Sequence, residues 1–225
     1  VERGRRLGNG ACAMTYFGFL IRFLVVPIII LALLHLRDHR RGKGYPSSLR
    51  GWSPLGVLGI LIGIALVYTT PWDNYLVATG VWWYEPALVT GITLGWVPIE
   101  EYTFFILQPI LAGLWALWLA RRLPVAEPVT LSRAQRLGTL AAVAAVWVAS
   151  VVILAVQWLP GKYLGLELVW ALPPIMLQLA FGLETLLQHR RLVILTIVPV
   201  TVYLAAADAL AIGIGIWTIA PGQSL

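Results

Sequence analysis

Residues 68–86 read YTTPWDNYLVATGVWWYEP, and residues 203–221 read YLAAADALAIGIGIWTIAP. Without a gap, Tyr68, Asp73, Gly80, Trp82 and Pro86 recur 135 residues later as Tyr203, Asp208, Gly215, Trp217 and Pro221, and Val81 answers to Ile216. Self-similarity at a fixed offset marks an internal repeat, and it organises the reading of the whole chain. The arginine cluster from Arg37 to Arg41 has its own counterpart in His189-Arg190-Arg191.

The repeat is set in hydrocarbon-like sequence. Of 225 residues, 60% are hydrophobic and 12% charged, with a mean hydropathy of +0.84. A soluble domain has about 45–50% apolar and about 25% charged residues, so the chain reads as an all-α integral membrane protein. A span needs about 20 mostly apolar residues, and six runs qualify: 16–36, 54–70, 98–119, 137–159, 164–187 and 192–212. The second is short but opens on Pro54, a residue suited to a first helical turn. The fifth contains Pro173-Pro174 and is expected to kink or break there, with buried neighbours taking up the freed carbonyls.

Arg37, Arg40, Arg41, Lys43 and Arg50 follow the first run. Arg121, Arg122, Arg133 and Arg136 follow the third, and Arg190 and Arg191 the fifth. The connection between the second and third runs has no Lys or Arg. This alternation is the positive-inside pattern, with the amino terminus outside. Helices 1–3 (residues 14–122) then form one repeat, residues 123–160 hold a linker and a bridging fourth helix, and residues 161–225 hold a second repeat. The two units lie parallel, related by a pseudo-twofold along the membrane normal. Counterparts of Pro98 and Glu100-Glu101 are due near positions 233 to 236, past Leu225, so the second unit is expected to be truncated and the chain a fragment. Residues 1–13 are polar and lack a Met start, and are expected to be an extraneous leader ahead of Met14.

Several chemistries are disfavoured. The net charge of +6 sits in short clusters between apolar runs, unlike a nucleic-acid groove. The single Cys12 cannot form an intrachain disulfide or a cysteine metal site, and His35, His39 and His189 all lie beside arginines. There is no G-x-G-x-x-G, P-loop, nucleophile elbow or Asp-rich diphosphate motif. No metal, flavin, nucleotide or other cofactor is expected.

The informative polar residues are acids. Pro98-Ile99-Glu100-Glu101-Tyr102 opens the third helix, and Pro71-Trp72-Asp73-Asn74-Tyr75 lies just past the second. The two helices run in opposite directions, so Asp73, Glu100 and Glu101 are expected at one membrane face, with Asp208 at the far end of helix 6. Glu167, near the outer end of helix 5, is a candidate to join them. Carboxylates beside hydrocarbon are costly and are functional candidates by default. On the third helix Glu100, Phe104, Leu107 and Gln108 share one face, and Glu101, Phe105 and Gln108 the adjoining one. Glu184 is expected to pair with Arg190 and Arg191. The aromatics around the acids, among them Trp72, Tyr75, Trp82, Trp83, Tyr84, Trp96, Tyr102, Phe104 and Phe105, fit an interfacial belt or a pocket that stabilises a cation. Trp82 and Trp217 are equivalent anchors of the two units.

These motifs resemble the small, flavin-independent membrane lycopene cyclases of carotenoid biosynthesis, found as heterodimers or as fused two-domain proteins. The resemblance runs over about 14–225. It rests on Met14-Thr15-Tyr16, on Pro71-Trp72-Asp73-Asn74-Tyr75 with Gly80-Val81-Trp82, and on Pro98-Ile99-Glu100-Glu101-Tyr102 with Phe104-Phe105. In the second half it rests on Ala207-Asp208-Ala209 and Gly215-Ile216-Trp217. It implies a redox-neutral, proton-initiated closure of a β-ionone ring on an acyclic end of lycopene or a related carotenoid, in the bilayer, by a homo- or hetero-oligomer. By that implication Glu100 and Glu101 are catalytic, with acid and base unassigned between them; Asp73 and Asp208 join them as catalytic candidates through the gathering of acids at one membrane face. Trp72, Asn74, Tyr75, Trp82, Tyr102, Phe104, Gln108, Glu167 and Trp217 are the substrate-binding candidates. A carotenoid hydratase, in which water quenches the same cation, and a non-catalytic or proton-coupled membrane partner are the competing readings.

Overall fold

The computed structural model describes residues 14–45, 51, 53–124 and 126–221; the proposed leader at 1–13 lies outside them. Among the described residues, six helices are long and apolar enough to cross a membrane: α1 Tyr16–Arg40, α2 Pro54–Ala78, α3 Ile99–Ala120, α4 Arg133–Ala155, α5 Lys162–Gln188 and α6 Arg190–Ile214. Four short strands accompany them: β1 Trp82–Tyr84, β2 Thr93–Leu94, β3 Val97–Pro98 and β4 Trp217–Ile219. The outward faces carry an apolar surface, for example Ile30, Leu33, Ile60, Ile64, Ile197 and Val202.

Helix limits differ from the expectation where side chains supply what the apolar pattern lacks. Helix α2 runs on through Pro71 to Ala78, so Asp73 sits inside the helix rather than beyond it. Helix α4 starts at Arg133, because Ser132 and Gln135 form a reciprocal capping box: Ser132 Oγ accepts from Gln135 N at 3.2 Å, and Gln135 Oε1 accepts from Ser132 N at 2.9 Å. Helix α1 contains one wide π turn, Ile21–Val25, just ahead of Pro27.

Helix α5 does not break at Pro173-Pro174. A proline in a helix removes the N–H that its fourth predecessor's carbonyl would accept. Here the freed carbonyls have partners on other helices: Val169 O accepts from Trp147 Nε1 at 3.2 Å, and Trp170 O accepts from Tyr68 Oη at 2.7 Å. The same device recurs. Pro199 frees Leu195 O, which accepts from Trp115 Nε1 at 2.8 Å, and the carbonyl four before Pro27, Phe23 O, accepts from Tyr203 Oη at 2.8 Å. Each bond ties two helices, giving α4 to α5, α2 to α5, α3 to α6 and α6 to α1.

The two ends of the bundle differ in charge. At one, Arg122 Nη2 holds Asp38 at 2.7 and 3.0 Å, with Arg121 at 4.0 Å, and Arg136 of α4 pairs with Glu184 of α5. The expectation that Glu184 pairs with Arg190 and Arg191 is corrected: α4 packs closely along α5 and brings Arg136 to it. At the other end, β1 and β4 pair antiparallel in the register Trp82↔Ile219, Trp83↔Thr218 and Tyr84↔Trp217. Glu85 N donates to Ile216 O at 3.0 Å, and Ala220 N donates to Val81 O at 2.9 Å. The buried core gathers beneath this ladder, around Tyr16, Phe19, Leu20, Leu24, Ala207, Ala211 and Ile216.

Trp115→Phe is expected to lower stability by about 1 kcal/mol, the usual cost of a lost hydrogen bond. In a Pro199→Ala background the loss should be smaller, because the substituted residue's own N–H then reaches Leu195 O. Thermal unfolding of both singles and the double reads this coupling; additive losses would contradict it.

Candidate functional site

At the end away from the Asp38 cluster, the first turns of α1, α3 and α5, the end of α6 and strands β1 and β4 enclose a chamber of about 160 Å³. Its wall holds two carboxylates, Glu101 and Asp208, and a set of aromatic side chains: Tyr16, Trp82, Tyr84, Phe104, Tyr163 and Trp217. A cavity of about 150 Å³ lined by apolar side chains takes one benzene ring, so the space suits a single six-membered ring.

The position of Glu101 follows from local geometry. Pro98 is extended (φ −70°, ψ 152°) and leads into α3, putting Glu100 and Glu101 in its first turn. Consecutive helical residues point about 100° apart, so the pair divides. Glu101 enters the chamber, where its Oε2 accepts from Tyr16 Oη at 2.5 Å. Glu100 turns to the connection before the helix: it is 1% exposed, and its Oε1 accepts from Thr90 N at 2.6 Å, while Oε2 is buried without a protein partner.

Tyr16 is held from several sides. Its N–H donates to Leu88 O at 2.8 Å, and its ring stacks on Tyr84 at 6.2 Å and tilts against Trp217 at 5.3 Å. Tyr84 lies between the chamber and Asp73, its Oη 3.5 Å from Asp73 Oδ2. Burial pushes the Tyr84 hydroxyl well above its ordinary pKa, and the charges of Glu101 and Asp73 push it further, so it stays a neutral hydrogen-bond donor. Asp73 itself is buried behind Tyr84 and outside the chamber wall, with Oδ1 unpartnered. Glu167, one turn beyond Tyr163, is close enough for its charge to act on both Asp73 and Tyr163. Among the described residues no group of three His, Cys, Asp or Glu could hold a metal ion. The acids line a space rather than converge on a point.

The other candidates lie around the chamber. Asn74 Nδ2 donates to Tyr102 Oη at 3.0 Å, Tyr102 Oη donates to Leu94 O at 2.8 Å, and Trp96 N donates to Asn74 Oδ1 at 2.7 Å. These two residues therefore clamp the β2–β3 hairpin that leads into α3. Gln108 lines a second cavity of about 380 Å³ between α2, α3, α5 and α6, whose wall includes Phe104 and Asp208. Trp72 stacks on Tyr75 at 5.7 Å and lines an open groove of about 820 Å³ between α2 and α5.

Five residues of the chamber wall lie outside the catalytic and substrate-binding candidates: Tyr16, Tyr84, Tyr163, Ile212 and Ile219, of which Tyr84 is among the aromatics that fit either a belt or a pocket. A signal for two of them exists. Tyr16 and Pro27 recur as Tyr163 and Pro174 at an offset of 147 residues. The first helices of the two halves thus match at a different offset from the stretch 68–86.

No family model and no solved structure matches the chain. Relatives are found among characterised proteins. The chain is 43% identical over 165 residues to the lycopene beta-cyclase of Halobacterium salinarum, covering 72% of this chain and 67% of that protein. It is 33% identical over 184 residues to the bifunctional lycopene cyclase/phytoene synthase of Podospora anserina, covering 75% of this chain and 30% of that protein. With the corresponding protein of Phaeosphaeria nodorum it shares 32% identity over 216 residues, 90% of this chain and 34% of the relative.

Gly95 tests the clamp on the hairpin. It has φ +69°, and a Cβ there would lie 2.2 Å from Asn74 Oδ1. Gly95→Ala is expected to strain the backbone, displace Asn74 and cost about 1–3 kcal/mol, read as a lower unfolding temperature. Gly80→Ala shares the positive φ but meets nothing within 4 Å and should cost less.

Proposed function

The chain belongs to the lycopene beta-cyclase family, enzymes of the isomerase type, and we propose that its ring-sized chamber closes a β-ionone ring on an acyclic end of lycopene. The observation that carries this reading is the pairing of Glu101 and Asp208 in the wall of one aromatic-lined space about the size of a single ring.

The chemistry is balanced without a redox partner. A carboxyl in the chamber wall gives its proton to the terminal double bond of the acyclic end, leaving a tertiary carbocation. The neighbouring double bond attacks that carbon, forming the new carbon–carbon bond of the ring and moving the positive charge to a ring carbon. A carboxylate takes a proton from the adjacent carbon, and the new double bond completes an isomer of the starting material. Glu101 and Asp208 are the two groups we assign to giving and taking the proton. The electron-rich faces of Trp82, Trp217 and Phe104 stabilise the passing cation. Tyr16 holds Glu101 in position through its hydrogen bond. Tyr84, in the chamber wall, reaches back to the buried Asp73, and the pair is suited to returning a proton to the chamber. Glu100 is a positioning residue that fastens the connection before α3 through Thr90.

We further read the architecture as two parallel three-helix units, with α4 bridging them and the amino terminus outside. The support is a set of contacts at repeat-equivalent positions. In the β1–β4 ladder, Trp83 faces its own counterpart Thr218, and the bonds Glu85 N to Ile216 O and Ala220 N to Val81 O exchange under the 135-residue offset. Tyr68 bonds Trp170 O and Tyr203 bonds Phe23 O, an exchanged pair once the 147-residue offset of α1 and α5 is applied. On this reading the chamber lies on the pseudo-twofold, walled by Tyr16 with Tyr163 and by Trp82 with Trp217.

In a lycopene-accumulating host, the parent chain is expected to convert lycopene to ring-bearing products of unchanged mass, read by chromatography with mass detection; a mass gain of one water would mean hydration instead. With protein amounts matched, Glu101→Gln and Asp208→Asn should each lower conversion by about 10²-fold or more. Tyr16→Phe should lower kcat by about tenfold with little change in KM. Glu100→Gln keeps an oxygen to accept from Thr90 and should retain most activity. Loss at Glu100 equal to that at Glu101 would overturn the division of roles.

A further inference from the structure

We propose that the carotenoid enters sideways from the lipid between α2 and α5, and that its polyene chain lies along one path made of the groove, the interior cavity and the chamber. The inference rests on the cyclase reading above and deepens it. Three observations carry it.

The first is continuity. Phe104 and Asp208 belong to the walls of both the chamber and the interior cavity, and Trp170 belongs to the walls of both the interior cavity and the groove. The three spaces are neighbours, and on the proposed path an occupant whose end group sits against Glu101 passes Phe104, then Trp170, and emerges between α2 and α5 beside the Tyr68–Trp170 contact. The second is chemistry. The groove is built from Ile60, Ile64, Val67 and aromatic faces and opens outward; between Ile60 and Trp72 it follows roughly 18 Å of helix. A long, uncharged, conjugated chain needs such a wall and no hydrogen-bond donors.

The third is Gly63. At Gly113 a Cβ would fall 2.7 Å from Leu58 Cδ1, whereas at the helical Gly59, Gly63, Gly138, Gly182 and Gly213 it meets nothing within 4 Å; of these five, Gly63 lines the groove. Gly63 has an ordinary helical backbone, and a Cβ there meets nothing within 4 Å. Glycine inside a helix costs about 1 kcal/mol relative to alanine. Its small size serves nothing inside this chain, and it lies on the floor of the groove. A second copy could use the same small residue, since Gly59 and Gly63 stand four apart as in close-packed helix pairs. Adjacency to the chamber through the interior cavity favours the polyene.

The test uses the whole chain, purified and returned to lipid bilayers, with lycopene as the probe. Binding is read by quenching of tryptophan fluorescence, conversion by chromatography, and oligomeric mass in parallel. Gly63→Phe should raise the Kd for lycopene at least about tenfold and slow conversion in step, with unfolding temperature and oligomeric mass unchanged. Gly63→Ala, which fills the same floor by one methyl group, should raise the Kd by less than Gly63→Phe does. A Gly63→Phe protein that binds and converts like the parent overturns the path, as does a parent that binds no lycopene. A change of oligomeric mass in Gly63→Phe also overturns it and makes the groove an interface between copies. Parent binding that Gly63→Phe weakens, without conversion by either, upholds the path and sinks the cyclase reading instead.

Discussion

Backbone polarity is the constraint on which this structure depends. In hydrocarbon no water waits to take up an unpaired carbonyl, and each such group costs several kcal/mol. At Pro27, Pro173, Pro174 and Pro199 this chain places a proline inside a helix and answers the freed carbonyl from a neighbouring helix with tyrosine or tryptophan. Phe23 O, Val169 O, Trp170 O and Leu195 O each receive such a donor. The obligation to satisfy the backbone thus supplies tethers between four pairs of helices. Between spans of largely similar apolar surface, where dispersion forces distinguish partners poorly, a directed hydrogen bond specifies a neighbour.

The same economy of geometry governs the acids. Glu100 and Glu101 are adjacent and chemically identical, yet one helical step sends them to different tasks. One meets a phenol in the chamber, and the other fastens the loop that delivers α3. Around them, Asn74 and Tyr102 hold the hairpin, and Tyr84 separates the chamber from Asp73. The chamber is therefore a small cavity supported by a much larger polar scaffold. The scaffold is assembled where helices end, because side chains and strands there can bond to one another without crossing lipid.

Much of this was legible in the sequence. Six spans follow from apolar run lengths, and the gathering of acids at one end follows from antiparallel helices. The chamber wall includes Glu101, Asp208, Phe104, Trp82 and Trp217 among the residues the motifs point to. The rest was hidden for physical reasons. Asp73 looked like a helix exit because Pro71 and a polar run follow the apolar stretch, but burial and the Asn74 contacts carry the helix on to Ala78. The integrity of α5 depended on donors that stand on α2 and α4 and that no local pattern reveals. Asp38, buried between arginines, has no local sequence signature because its partners Arg121 and Arg122 come from just past the far end of α3. Tyr16 and Tyr163 match at an offset of 147 residues and the stretch 68–86 at 135, so a comparison at one fixed offset finds only one of the two matches.

The strands contribute to the chemistry as well as to the architecture. A carbocation in an open cleft is captured by water, giving an alcohol; in a closed one its fate is ring closure and return of a proton. The chamber is bordered at its end by β1 and β4, whose backbone groups are engaged with each other in the ladder and in the flanking bonds of Glu85 and Ala220. A paired backbone neither draws water toward the cation nor offers a competing acceptor for its proton. Tyr84 and Trp217 stand opposite each other in that ladder and face the chamber. On the proposed reading, the pairing of β1 with β4 leaves few free backbone groups beside the reacting carbon, and exclusion of water is what separates ring closure from hydration of the same cation.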